Sequence, residues 1–267
     1  MNPRAAVAPI VLTALLLVAT AGGSSPAAHP GVEPRSLDLL ASAHPTSAEP
    51  AVSDVAFDHV RARGPAIGAD AAALTSTTCD GCAGESGALQ VVYVPRAQEA
   101  RLDNVANAWA QDCRGCTSTA LSVQVVVLRG RPVAVPNNRA LSLTAACTSC
   151  RTTALAFQVV LVADRATALS DQALAELRAW FDEQAAVLRA SVILPPSEVV
   201  PEAQVTPEAT PPPTPTDGTT SSDPLPTEPR PARRVRRDAV SALGELQQLL
   251  AADLDAETLS ADLEVGR

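Results

Sequence analysis

Short runs of branched apolar residues recur along the middle of the chain and predict β-strands. They cover residues 90–94, 123–128 and 157–162, and each ends near Pro, Gly or Asp, which commonly end strands. Before the second and third runs, small residues stand at every other position: Ala106, Ala108 and Ala110, then Ala140, Ser142, Thr144 and Ala146. A period of two is that of a strand, and small side chains let a neighbouring layer approach closely. Residues 97–112 also fit a helix, and that alternative stays open.

The apolar spacing changes to that of a helix over residues 168–192. Apolar side chains recur there every three or four positions: Leu174, Leu177, Phe181, Ala185 and Leu188. Ser170 is a suitable N-cap, and Pro195 and Pro196 would end the helix. We expect this helix to cap the strands, because a repeat array needs a polar-faced end.

The regions on either side lack such patterns over most of their length. Residues 22–65 carry scattered Pro, Ser, Ala and Gly, which predicts a low-complexity linker with room for a short helix over 36–43. Residues 193–237 are rich in proline and predict a disordered linker that ends in an arginine cluster. Leucines at helical spacing then predict a short, acidic helical tail over residues 238–267: Leu243, Leu246, Leu249, Leu250 and Leu254.

The six cysteines place the predicted strands in a tandem repeat. They form three Cys-x-x-Cys pairs whose first cysteines are 34 residues apart: Cys79/Cys82, Cys113/Cys116 and Cys147/Cys150. Gln90, Gln124 and Gln158 keep the same spacing, and each is followed by Val-Val. We therefore predict a mainly β repeat domain over residues 66–192, with three hairpin-like repeats tipped by Cys-x-x-Cys and a C-terminal capping helix. Tetratricopeptide repeats share this period, but consecutive valines do not suit a helix.

The first 21 residues are typical of a secretory signal peptide. Arg4 precedes an apolar stretch over residues 5–19, and Ala19-Thr20-Ala21 fits a cleavage site. The stretch is shorter than the about 20 residues that span a membrane. We expect a secreted or cell-envelope-associated protein with no stable membrane span after cleavage, and an uncleaved anchor is the alternative. The net charge of −9 argues against nucleic acid as a partner.

Export changes the interpretation of the cysteines, because oxidising compartments favour disulfides. Six cysteines allow 15 pairings. Pairing within each Cys-x-x-Cys is the simplest, since a β-turn brings its ends within about 7 Å and a disulfide needs Cα atoms about 5.5–6 Å apart. We therefore predict no metal and no cofactor. Zinc held by two of the pairs is one alternative. Thiol–disulfide exchange is another, with Cys113 beside Arg114 as its nucleophile.

The repeat pattern resembles that of a family of exported actinobacterial proteins. The likeness rests on Asn-x-Ala-x-[Ala/Ser], then Cys-x-x-Cys-x-[Ser/Thr]-Thr-Ala-Leu-x-x-Gln-Val-Val, then a Leu-Ser-x-x-Ala-x-x-Glu-Leu helix, over residues 79–190. The first repeat departs from the pattern at residues 83–87. Some members of that family are labelled peptide zinc metalloproteases. The His-Glu-x-x-His motif of such enzymes is missing here, because the three histidines lie far apart in the sequence: His29, His44 and His59.

Two further groups of residues are candidates for binding. Gln90, Gln124 and Gln158 form a repeat ladder that either faces a ligand or bridges neighbouring repeats. The arginine cluster is a candidate contact for anionic polymers or lipid headgroups: Arg230, Arg233, Arg234, Arg236 and Arg237. We predict no catalysis. The expected function is that of a structural or interaction protein whose partner is an unknown protein or a cell-envelope polymer.

Overall fold

The structure is a computed structural model that describes residues 35–164, 168–193 and 230–266. The predicted signal peptide, residues 22–34 and residues 194–229 of the predicted Pro-rich linker lie outside these ranges. The strands are β1 Arg35–Ala43, β2 Ala51–Arg61, β3 Ala66–Thr77, β4 Ala83–Val94, β5 Glu99–Gln111, β6 Thr117–Leu128, β7 Val133–Ala145, β8 Arg151–Ala163 and β9 Ala256–Val265. The helices are α1 Asp171–Ile193 and α2 Arg230–Asp253.

The first eight strands wind into a β-solenoid of four coils, each made of two strands. The odd-numbered strands form sheet A in the order β1-β3-β5-β7, and the even-numbered strands form sheet B in the order β2-β4-β6-β8. All these neighbours are parallel, and equivalent residues stack from coil to coil, so that Gln90 lies opposite Gln124 and Gln124 opposite Gln158. The predicted mainly β repeat fold with a period of 34 is thus confirmed.

The strands of one repeat, however, do not form the hairpins that we predicted. The Cys-x-x-Cys turn joins β3 to β4, β5 to β6 and β7 to β8, but the joined strands lie in different sheets. Every strand of the solenoid pairs with the equivalent strand of the next coil. Parallel stacking keeps identical side chains in register, whereas a hairpin would pair strands of unlike sequence.

The predicted linker over residues 22–65 is wrong for its second half, because β1 and β2 build a first coil without cysteines. The segment that we considered for a short helix is strand β1. Its residues Ala41 and Ala43 are fully buried, and Leu37 and Leu39 are half-buried, so alternate side chains face the interior. Residues 97–112 likewise contain strand β5 and no helix.

Sheet B is covered on both of its faces. Sheet A lies on its inner face, and α1 packs on its outer face against β4, β6 and β8. Leu177 and Phe181 of α1 are buried in this layer, and the Trp180 ring meets the Phe157 ring edge-on at 5.4 Å. The predicted helix is therefore present, but it covers the face of the sheet and not the end of the array.

Strand β9 covers the edge of β8 at the end of sheet B. It pairs antiparallel with β8, and its alternating residues Ala261, Leu263 and Val265 pack on the same core as the helices. The predicted helical tail over 238–267 is therefore corrected in two ways. Helix α2 already begins at Arg230, and a strand follows it, because the edge of β8 gains its missing backbone hydrogen bonds from β9. Within the described residues, neither helix is long and apolar enough to cross a membrane.

Candidate functional site: the stacked Cys-x-x-Cys turns

The three Cys-x-x-Cys turns lie above one another at one end of the coils. The first coil has a turn without cysteines at this place, and the Cys79 Sγ lies 3.6 Å from the Pro45 carbonyl oxygen of that turn. Each pair is joined at disulfide distance, with Cα–Cα separations of 5.4, 6.2 and 5.8 Å. The pairing within each motif is the one that the sequence favoured.

The backbone of each turn needs a left-handed residue just before its second cysteine. Gly81, Gly115 and Ser149 occupy that position with φ of 69°, 63° and 57°. A positive φ at the third residue of a turn is the mark of type II, which favours glycine. The Cys79 carbonyl closes the first turn by accepting a hydrogen bond from the Cys82 amide at 3.1 Å.

Backbone hydrogen bonds continue the stacking of the coils through the turns. The Gly81 amide donates to the Arg114 carbonyl at 2.7 Å, and the Gly115 amide donates to the Thr148 carbonyl at 2.8 Å. The Arg114 amide also donates to the Asp80 carboxylate at 2.8 Å. These bonds hold successive pairs at the spacing of neighbouring strands, about 4.8 Å.

Stacking brings the sulfurs of the second and third pairs together. The Cys113 Sγ lies 3.5 Å from the Cys147 Sγ and 3.7 Å from the Cys150 Sγ. All four sulfurs, including that of Cys116, lie within 4.8 Å of one another. Cys113 and Cys116 are buried, whereas Cys147 and Cys150 are half-buried. A reductant would therefore reach the third pair more easily than the second.

These four cysteines have two chemical uses. As two disulfides, each pair closes its own turn, and the two turns are neighbours in the stack. As four thiolates they would suit Zn²⁺, because a tetrahedron with Zn–S bonds of about 2.3 Å has edges of about 3.8 Å. The distances from Cys113 to the third pair match such edges, but the distances within each pair are those of disulfides. The first pair, Cys79 and Cys82, lies outside this group of four.

The three repeat glutamines lie in the interior between the two sheets. The Gln124 Nε2 donates to the Gln90 Oε1 at 2.8 Å, and the Gln158 Nε2 donates to the Gln124 Oε1 at 2.7 Å. The same nitrogens reach backbone carbonyls of sheet A, as from Gln124 to Ala69 at 2.9 Å. All three side chains are at most 1% exposed. They therefore bridge neighbouring repeats and both sheets, and they do not face a ligand.

The arginines that we considered for anionic surfaces belong to helix α2. Arg234, Arg236 and Arg237 are exposed, and the Arg234 Nε lies 3.8 Å from the Asp238 Oδ2 one turn further along the helix. The side chains of Arg230 and Arg233 lie outside the described residues. The cluster thus opens an amphipathic helix and does not end a linker.

The outer face of sheet A is not covered by either helix, and it carries rows of equivalent residues. One row contains Asp38, Asp70, Asp103 and Asn137. Partial burial raises the pKa of Asp70, and the carboxylates of Asp38 and Asp103 raise it further, while Arg139 lowers it. Apolar residues are exposed beside this row, mostly on β7: Trp109, Val133, Val135, Leu141 and Leu143. Trp109, on β5, is 45% exposed.

A second arginine group was missed in the sequence. Arg61, Arg63, Arg96 and Arg129 line one groove of about 340 Å³ at the turns opposite the cysteines, together with Gly64 and Pro95. The signal was present, because Arg63, Arg96 and Arg129 follow one another at intervals of 33 residues. This spacing is hard to recognise because Arg63 lies in a part of the chain without cysteines, whose sequence predicts a linker.

Comparison with known protein families, with curated proteins and with solved structures found no match to this chain. No activity, ligand or partner is transferred from another protein on that basis. The geometry of the stacked turns and the uncovered surfaces of the solenoid are therefore the features that bear on function.

Proposed function

We propose that this protein is a secreted or cell-envelope-associated scaffold without catalytic activity. Its disulfide-stapled solenoid presents the outer face of sheet A to a partner, which is another protein or a cell-envelope polymer. The observation that carries the proposal is the asymmetry of the two sheets. The helices cover sheet B, whereas the outer face of sheet A exposes Trp109, Leu141 and Leu143 at 45%, 50% and 42%.

The cysteines support a structural role in this proposal. Each pair closes its own coil, and the stacked turns bind one another through the backbone. In the first two pairs, Cys82, Cys113 and Cys116 are at most 3% exposed and Cys79 is half-buried, whereas catalytic cysteines need access to their substrate. Export by the predicted signal peptide, and the resemblance to a family of exported repeat proteins, give the compartment in which such bonds persist.

Zinc binding is the second candidate, and the grouping of four sulfurs within 4.8 Å favours it. Reduction of Cys113–Cys116 and Cys147–Cys150 would supply four thiols, which lose their protons on binding zinc. In this alternative the ion would join the last two coils, and Cys79–Cys82 would remain a disulfide.

The mass of the purified exported protein distinguishes the two candidates. We expect three disulfides, no thiol that iodoacetamide modifies, and no zinc in the metal analysis. Under mild reduction, Cys147 and Cys150 should be alkylated before Cys113 and Cys116. The matched variants are C147S/C150S, which removes half of the four-sulfur group, and C79S/C82S, which leaves it intact. Stoichiometric zinc that is lost in the first variant and kept in the second would replace the scaffold proposal by the zinc alternative.

The interaction surface needs its own experiment. Leu141→Asp/Leu143→Asp places two charges on the exposed face of sheet A, and Val187→Asp places a charge on α1 at a residue that is 46% exposed. We expect only the first variant to lose binding to isolated cell envelopes of the producing cells. Equal binding by all three proteins would show that sheet A is not the interaction surface.

A further inference from the structure

The turns opposite the cysteines gather positive charge from three successive coils. Arg61 is the last residue of β2 and Arg63 follows that strand, Arg96 follows β4, and Arg129 follows β6. The backbone brings these turns together, because the Ala62 amide donates to the Tyr93 carbonyl and the Arg129 amide donates to the Val94 carbonyl. All four side chains line the groove of about 340 Å³ described above. We call it the arginine groove.

The fold does not explain this concentration of charge. Four exposed arginines elsewhere in the described residues have carboxylate partners, among them Arg139 with Asp103 at 2.7 Å and Arg189 with Glu85 at 2.6 Å. Arg63, Arg96 and Arg129 are exposed and form no ion pair within the described part of the chain. Like charges at neighbouring positions repel one another. The absence of ion pairs at these three arginines does not reflect a shortage of carboxylates, because the chain has 29 acidic residues against 20 arginines. A bound anion would relieve the repulsion.

We propose that the arginine groove binds a phosphate-bearing polymer that lies along the solenoid axis. An arginine guanidinium offers a planar fork of N–H groups that matches a phosphate in a bidentate manner. Strands of neighbouring coils are about 4.8 Å apart, and three successive coils each contribute at least one arginine to the groove, so several phosphates of one polymer can be held together. Gly64 and Pro95 add little side-chain bulk to the groove, which leaves room for the ligand backbone.

Nucleic acid is the less suitable phosphate polymer for this groove. The groove is lined by arginines, Gly64 and Pro95 and contains no aromatic side chain among its described residues, whereas single-stranded nucleic acid is held by stacking of its bases on aromatic rings. A polymer with phosphates but no bases needs only the guanidinium groups. This inference rests on the proposed scaffold function, because it gives the scaffold a second binding surface, separate from the outer face of sheet A, for an envelope polymer.

The test is calorimetric titration of the full chain with tripolyphosphate and with poly(glycerol phosphate), and with orthophosphate and single-stranded DNA of equal charge for comparison. We expect both polymers to bind more tightly than orthophosphate and DNA, and salt to weaken the binding. Arg63→Ala/Arg96→Ala/Arg129→Ala should lower the affinity by at least about 100-fold, since each bidentate contact contributes roughly tenfold.

The matched control is R114A/R178A/R189A, which removes the same charge from exposed arginines outside the groove and should change the affinity by less than about threefold. The triple Arg→Lys variant of the groove keeps the charge but loses the fork, and we expect it to bind more weakly than the native chain. An equal loss in the control, no binding of either polymer, or tighter binding of DNA would overturn the inference. Such a result would leave the scaffold proposal standing if the Leu141→Asp/Leu143→Asp variant still loses envelope binding.

Discussion

Ser149 has the backbone conformation that a glycine has in the other two Cys-x-x-Cys turns. Its φ of 57° lies in the left-handed region, as do the φ values of Gly81 and Gly115. A side chain in that region costs about 1–2 kcal/mol, part of which is offset because glycine loses more entropy on folding. The third turn therefore carries a local strain that the first two avoid.

Ser149→Gly should stabilise the protein by about 0.5 kcal/mol, and Gly115→Ser should destabilise it by about 1 kcal/mol. A β-carbon at Gly115 would meet nothing within 4 Å, so its cost is conformational and not steric. The free energies of unfolding in urea measure both effects. A Ser149→Gly protein that is less stable than the native chain would contradict this account of the turn.

Gln124 and Gln158 occupy equivalent positions in the repeat, but they form different numbers of hydrogen bonds within the glutamine ladder. Gln124 has an amide partner on each side, whereas the Gln158 Oε1, at the end of the ladder, is buried and has no hydrogen-bond partner among the described residues. Gln124→Leu should therefore cost about 2–4 kcal/mol, because it leaves buried donors and acceptors unpaired on both neighbours. Gln158→Leu should cost less, and equal losses in urea unfolding would argue against the ladder.

At the scale of elements, β9 protects the open edge of sheet B. Deletion of residues 256–267 would leave the β8 backbone groups unpaired, and exposed sheet edges associate with other chains. We expect the shortened protein to form oligomers, measured by light scattering after gel filtration. Asp262→Asn, on an exposed residue of β9, serves as the control and should stay monomeric if the native chain is monomeric. A shortened chain with unchanged association would show that β9 is dispensable.

The aspartate row of sheet A predicts a pH dependence of stability. The pKa of Asp70 is raised in the folded protein, so folding is penalised at pH values above that pKa, and the penalty disappears as the pH falls below the ordinary value of about 3.9. Asp70→Asn should raise the melting temperature at pH 7, by the equivalent of about 0.5 kcal/mol, and leave it unchanged near pH 3. Asp182→Asn on α1 controls for the loss of one charge.

If Asp70→Asn changed the melting temperature equally at both pH values, the repulsion within the row would not be the cause. The solenoid itself contains a natural comparison, because β7 carries Asn137 at the position where β1, β3 and β5 carry aspartate. The Asn137 Nδ2 donates to the Asp103 Oδ1 at 3.1 Å, which is the contact that an amide adds to the row.

At the scale of the whole molecule, the disulfides and the hydrophobic core stabilise the fold by different means. Each bond closes a loop of only four residues, so the chain-entropy model gives about 2 kcal/mol per bond. The largest core cluster lies between sheet B and the helices, away from the cysteines. Stability that comes from burial there does not depend on the bonds.

Full reduction in the presence of EDTA should therefore lower the melting temperature without unfolding the chain. We expect the β signal in far-UV circular dichroism to persist and the melting transition to remain cooperative. EDTA prevents zinc from binding the reduced cysteines and joining the last two coils in place of the bonds. Loss of the β signal at room temperature would show that the bonds are required for the fold, and return of the lost stability on adding zinc would favour the zinc alternative.

The repeat, its strands, the local pairing of cysteines and helix α1 are all predicted from the amino-acid sequence. Each of these depends on residues close in the chain: the Val-Val runs have the period of strands, residues i and i+3 of a turn meet, and the apolar stripe of α1 has the period of a helix. The register of the coils is also predicted by the glutamines, because the spacing of Gln90, Gln124 and Gln158 matches that of the cysteines.

The pairing of the strands, the positions of the helices and the grouping of charges depend on contacts between residues far apart in the chain. A period of two identifies a strand but not its partner, so hairpins and a parallel solenoid fitted the same residues. The first coil escaped notice because its turn has Pro45 and Thr46 where the later coils have cysteines, and its register to the second coil is 32 residues and not 34. The arginine groove exists only because the coils stack, which brings side chains from positions 61 to 129 of the chain to one surface.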